Sequence, residues 1–148
     1  MSAFPDSPIR LSIASTPAYL AVVRAALERL CELIGFDEAS RGGIVLAVDE
    51  ALTNVIKHAY HGRSDQPIDI TFRSVVGGQA AGLQIELRDW GEQADASQIR
   101  SRDLDDVRPG GLGVHIMYNC MDEVEYAPAP DGGTRLTMVK KLQARSDK

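Results

Sequence analysis

Apolar and polar residues alternate over residues 9–14, IRLSIA, and a period of two predicts a strand. Ser15 or Thr16 then offers an N-cap and Pro17 a first-turn residue. AYLAVVRAALERLCELIG repeats its apolar residues at helical spacing and stops at Gly35, which suits the C′ position. Asp37 opens a second long helix running to about Tyr60, with an irregularity or a packing contact expected at its Arg-Gly-Gly, residues 41–43. HGRSDQP, residues 61–67, reads as a loop. IDITFRSVV (68–76) and LQIELRDW (83–90) alternate again and predict an antiparallel hairpin around the turn GGQAAG. Beyond Gly91 the pattern stops. Residues 92–109 are polar without a period, and so long a connection inside a compact domain is usually functional or disordered. GGLGVHIMYNCM predicts a glycine-led helix, and DEVEYA and GTRLTMVKKL two strands joined by PAPDGG. The order β-α-α-β-β-loop-α-β-β implies an α+β two-layer sandwich, a mostly antiparallel mixed sheet with helices on one face. It is expected as one domain over 1–142, with 143–148 a disordered tail.

Bulk composition narrows the function classes. A chain of 148 residues suits one domain, which at this size buries about 70% of its unfolded surface and needs no staples. A formal charge of −5 and a pI near 5.1 argue against a general nucleic-acid binder and, less strongly, against an anionic membrane surface. Cys31 and Cys120 sit in apolar helical segments, outside any CxxC or Cys/His cluster, and read as buried free thiols. MSAFPDSPIR lacks a signal-peptide pattern, and no apolar run nears the ~18 residues of a membrane span. A soluble cytoplasmic protein, with no nucleic-acid or membrane partner, is the expectation.

The second helix carries the first candidate chemistry. With Glu50 at zero and about 100° per residue, Ile44, Val48, Ala51, Leu52, Val55 and Ala59 fall between about 100° and 200°, the core face. Glu50, Asn54 and Lys57 lie within about 40° of zero, and His58 near about 80°. Any amphipathic helix has a polar face, so the row also has a plain structural explanation. Asn54 is its least expected member, because its amide competes for backbone bonds.

Two glycine signals follow. Asp89 ends a strand two residues before Gly91: a carboxylate there can accept from a ligand amine such as a purine's, and Gly91 permits a sharp turn or the approach of a planar ring. D-x-G is also a common strand-to-loop turn. Gly110, Gly111 and Gly113 precede a helix, where backbone N–H groups and the helix dipole can cradle an anion, or where the chain can simply hinge. The run is neither G-x-G-x-x-G after a strand nor GxxxxGK[ST], so the Rossmann and P-loop readings fail.

Together, DEALTNVIKHA, DWG and GGLGVHIMYNCMDEVEY, in this order, resemble the N box and the two glycine boxes of the GHKL superfamily of ATP-binding domains. That superfamily includes histidine-kinase catalytic domains, DNA gyrase B and a heat-shock chaperone. The resemblance runs from about Ile9 to Leu142 and is closest to the anti-sigma-factor serine-protein kinases of bacteria. It implies the Bergerat, or histidine-kinase-like, fold. It implies that Asn54 ligates Mg²⁺, that Glu50 is the general base, and that Asp89 binds the adenine amine with Gly91 beside the base. Gly110, Gly111 and Gly113 correspond to the phosphate-contacting glycines, Lys57 and His58 lie near enough to approach phosphates or ribose, and 92–109 corresponds to the ATP lid. Gln93 stands where the superfamily usually has a second glycine; the small kinase branch often lacks it, and the start of the lid is thereby left open. The chain shows no helical domain with a phosphoacceptor His and no length for a gyrase-like transducer.

The implied activity is transfer of the γ-phosphoryl group of Mg-ATP to Ser or Thr of an anti-anti-sigma (STAS) partner, coupled to sequestration of a sigma factor, by a homodimer paired near the first strand. Alternatives are a non-catalytic ATP-binding module acting by sequestration, and a stand-alone ATPase.

Overall fold

The computed structural model describes residues 7–77, 80–92 and 116–142. Its strands are β1 (Ile9–Ala14), β2 (Pro67–Gly77), β3 (Ala80–Asp89), β4 (Glu123–Pro128) and β5 (Thr134–Leu142). They form one sheet in the order β1-β2-β3-β5-β4. Every pairing among the described residues is antiparallel, so the mixed character expected of the sheet is not found. The reason lies in the β1–β2 connection. It holds two helices, α1 (Leu20–Ile34) and α2 (Glu38–Asn54), and a down-and-up helix pair returns the chain to the end where β1 finished.

The alternation read from the sequence becomes one continuous apolar face. Leu11 opposes Ile70, Ile70 opposes Leu87, Leu87 opposes Leu136, and Leu136 opposes Tyr126. Phe72, Ile85, Met138 and Val124 form the next row. Val23, Leu27 and Leu30 of α1 and Ile44, Val48 and Leu52 of α2 join these residues in the core. This burial supplies the driving force, at about 25 cal/mol per Å² of apolar area.

Local chemistry departs from the sequence reading in places. Ser15 and Thr16 do not cap α1. Their hydroxyls donate to Arg63 O at 2.5 Å and Ser64 O at 2.8 Å, tying down the 61–66 loop, and a 3₁₀ turn over Pro17–Tyr19 leads into the helix. Gly35 closes α1 in the left-handed region (φ 109°), as its position suggested, its N–H donating to Cys31 O at 3.0 Å. Asp37 caps α2, accepting from Ser40 N at 2.7 Å. No break occurs at Gly42–Gly43: Gly43 is a packing contact, and a Cβ there would lie 3.5 Å from the Cys120 side chain. Both cysteines are free; Cys120 is half-buried, and burial pushes the Cys31 thiol up to about 12. The strands invade the expected GGQAAG turn from both sides. Gly82 sits inside β3, where a Cβ would come closer than 3.0 Å to Lys140 O, so it serves a close backbone approach rather than a turn. No helix among the described residues is long and apolar enough to cross a membrane. The tail, 143–148, lies outside the described residues.

Candidate functional site

The polar row of the second helix ends in a change of helix type. After Asn54 the chain makes a π-turn over Val55–Ala59, and Tyr60 N–H donates to Val55 O at 3.0 Å. A π-turn takes up about one residue more than an α-turn, so later side chains rotate back by most of the usual ~100° step. This corrects the expected core face beyond Asn54. Ile56 and Tyr60 are buried, whereas Val55 and Ala59 are only half-buried. The same rotation carries His58 toward the line of Glu50 and Asn54 and carries Lys57 away from it; both are exposed. Glu50 and Asn54 are half-buried, one turn apart on α2. The amide nitrogen of Asn54 is buried without a hydrogen-bond partner among the described residues. Such a donor costs about 1–3 kcal/mol and needs an acceptor.

A second element meets this helix end. Asp89 closes β3 on the inward face, in register with Ile68, and is 4% exposed. Its carboxylate accepts from Gly91 N at 3.0 Å and from the backbone N–H of Thr134. Burial nevertheless holds the Asp89 carboxyl above its ordinary value, outweighing both N–H groups and the Arg88 charge. Gly91 lies so close to the π-turn that a Cβ would come within 3.0 Å of Ala59 O. Glu92 N–H donates to that same carbonyl at 3.0 Å. The Tyr60 hydroxyl accepts from Trp90 N–H at 2.8 Å and donates to Pro67 O at 2.5 Å. Thus the D-x-G turn is bolted to the helix five residues beyond Asn54, about 6–7 Å along the axis.

The structure therefore brings Asp89 and Gly91 to the helix that carries Glu50, Asn54, Lys57 and His58. Gly110, Gly111, Gly113 and lid residues 93–109 lie outside the described residues. Sequence reasoning missed Tyr60, Gly133 and Thr134. Gly133 has φ 76°, and a Cβ on it would clash with Asp89 O. In the sequence Gly132-Gly133 signals a turn and the start of the last strand, and its opposition to Asp89 becomes visible only in the fold.

A buried carboxylate facing inward can accept from an amine, and a buried amide nitrogen can donate to a phosphate oxygen. No group of three or more His, Cys, Asp or Glu side chains among the described residues could hold a metal. A Mg²⁺ at this site would thus take few protein ligands, the Asn54 carbonyl oxygen among them, and share phosphates and water. That is the ion's habit, and the donor set fits it.

The family model of the histidine kinase-like ATPase domain matches residues 13–140. The serine-protein kinase RsbW of Bacillus pumilus is 29% identical over 142 residues, covering 90% of this chain and 85% of that one. RsbW of Listeria innocua is 26% identical over 145 residues, covering 93% and 88%. Among solved structures, the RsbU and RsbW domains of a Mycobacterium tuberculosis protein superpose with a TM-score of 0.65 at 20% identity, covering 97% of this chain and 35% of that one; this chain spans about a third of that protein. A chain in the crystal structure of the SiaB–SiaC complex from Pseudomonas aeruginosa matches at a TM-score of 0.66 and 8% identity, covering 90% of this chain and 88% of that one. Both likenesses bear on the fold. The chain belongs to the histidine kinase-like ATPase domain family.

Proposed function

We propose that this histidine kinase-like ATPase domain is a serine/threonine-protein kinase that binds Mg-ATP. It phosphorylates a small anti-anti-sigma (STAS) partner in the cytoplasm and sequesters a sigma factor. The kinase class is supported by the serine-protein kinases that the chain resembles over nine-tenths of its length. The observation that carries the nucleotide reading is the buried Asp89 carboxylate, held by the D-x-G turn against the helix whose Asn54 amide lacks a partner.

In this reading Asp89 accepts from the adenine 6-amino group, with Gly91 leaving room for the ring. Asn54 holds Mg²⁺ through its carbonyl oxygen, and its nitrogen finds an acceptor among the phosphates. The bound ion supplies neutralisation of phosphate charge. Glu50, one turn earlier, accepts the proton of the partner's hydroxyl as that oxygen bonds to the γ-phosphorus. The bond from the γ-phosphorus to the β–γ bridging oxygen breaks, and ADP leaves. His58, Gly110, Gly111 and Gly113 are assigned to the phosphate end, and Lys57, exposed and turned off that line, is given no part in it.

Titrating ATP calorimetrically with and without Mg²⁺ tests the site. Saturable, Mg²⁺-dependent binding is expected, and Asn54→Ala should lose it. Glu50→Ala should bind as wild type but transfer phosphate to the partner about 10²–10⁴-fold more slowly. An equal loss of binding in Glu50→Ala would refute the division of roles.

A further inference from the structure

The outward face of β3 carries a cluster that the nucleotide site does not use. Strand alternation points Arg88 and Trp90 away from the core and Asp89 toward it. Yet Arg88 is only 8% exposed. Its guanidinium lies 4.4 Å from the centre of the Trp90 ring, donates to Asp89 O and pairs with Asp131. The Trp90 side chain also hydrogen-bonds to the Asp131 carboxylate, and its indole N–H is its only donor. Asp131 itself is exposed, on the turn between β4 and β5.

What this cluster holds follows from the register. The β3–β5 ladder ends at the pair Arg88–Arg135. Beyond it no ladder pair fixes residues 131–134 against Asp89. Yet Gly133 rests on Asp89 O, and Thr134 N–H donates to the Asp89 carboxylate. The turn has two hydrogen bonds of its own, Ala129 N to Gly133 O and Gly132 N to Ala129 O, both at 3.1 Å. Those shape the turn but do not attach it to β3. A side-chain link across that gap runs from Asp131 to Arg88 and Trp90.

We propose that Arg88, Trp90 and Asp131 form a clasp on the outer face of the sheet that positions Asp89 for purine recognition. The clasp draws the β4–β5 turn onto the end of β3, keeps the Thr134 N–H on one side of the carboxylate and fixes the remaining lone pairs toward the ligand. These are positioning residues: none of them meets the purine. The inference rests on the nucleotide reading above and adds to it the residues that set base selectivity.

The test compares ATP with purine riboside triphosphate, which is ATP without its 6-amino group, titrated with Mg²⁺ into wild type, Asp131→Ala and Trp90→Phe. Wild type is expected to prefer ATP. Asp131→Ala should weaken ATP about tenfold and the deaminated analogue less than about twofold, so that the preference collapses. Trp90→Phe keeps an aromatic ring beside Arg88, though a smaller one, and removes the indole N–H. It should weaken ATP about threefold in the same selective way, and it decides the matter if Asp131→Ala fails to fold. Equal weakening of both nucleotides, or an unchanged ATP affinity in a folded variant, would overturn the clasp while leaving the nucleotide site standing. A wild type that binds neither nucleotide, or does not tell them apart, would overturn the Asp89 reading itself and the clasp with it.

Discussion

Asn54 and Asp89 both carry a cost in the free protein. The buried Asn54 nitrogen lacks a partner among the described residues, which is destabilising by about 1–3 kcal/mol. Asn54→Ala is therefore expected to abolish nucleotide binding while leaving the free protein as stable as wild type, or up to about 1 kcal/mol more so. Urea unfolding without ligand measures this, and a large loss would mean the amide is structural. Asp89 costs through its charge. Burial raises its pKa in the fold above the ordinary carboxylate value, so the folded state binds the proton more readily than the unfolded chain. Its stabilising contribution is thus complete below the unfolded value and is lost as pH rises through the raised folded value. Asp89→Asn has no such titration. Thermal unfolding from about pH 4 to about pH 7 should show the variant gaining on wild type as pH rises; parallel curves would contradict the burial argument.

At the scale of elements, Tyr60 joins three of them: the end of the π-turn, the start of β2 and the turn after β3. Tyr60→Phe leaves the Trp90 N–H and Pro67 O without their partner. It should cost about 1–3 kcal/mol, read by denaturant unfolding, and should weaken ATP along with stability. Helices and strands were largely legible in the sequence because each announces itself by its own period, and the strand bounds 9–14 match residue for residue. The polar row was legible up to Asn54 for the same reason. The π-turn was not. A five-residue turn has no pattern distinct from an α-turn, and it shows only in the structure, in the Tyr60 N–H bond to Val55 O and the burial of Ile56 and Tyr60 in place of Val55 and Ala59. Arg88–Asp131 was equally hidden, since two residues 43 apart meet only once the β3–β5 register is set. The ion pair Arg24–Asp49, at 2.6 Å between α1 and α2, is partly exposed and contributes under about 1 kcal/mol.

At the scale of the whole molecule, the sheet formed by the described residues ends in β1 on one side and β4 on the other. The family resemblance implies a homodimer paired near β1, whose Ile9 is 48% exposed. Ile9→Lys places a charge on that edge, a known defence against strand pairing. It should shift sedimentation toward the monomer with little change in unfolding; an unchanged mass would remove β1 from the interface. Among the described residues the chain is also stitched at three places where backbone nearly touches backbone: Gly82 on Lys140, Gly91 on Ala59 and Gly133 on Asp89. In each case the nearest atom to an added Cβ is a main-chain carbonyl oxygen. That bears on heredity. A clash with a side chain can be undone by a second mutation that trims the neighbour, but no codon change shortens a peptide carbonyl. Revertants of Gly133→Ala should therefore restore glycine itself, and a screen for compensating mutations at the contacting residues should come back empty.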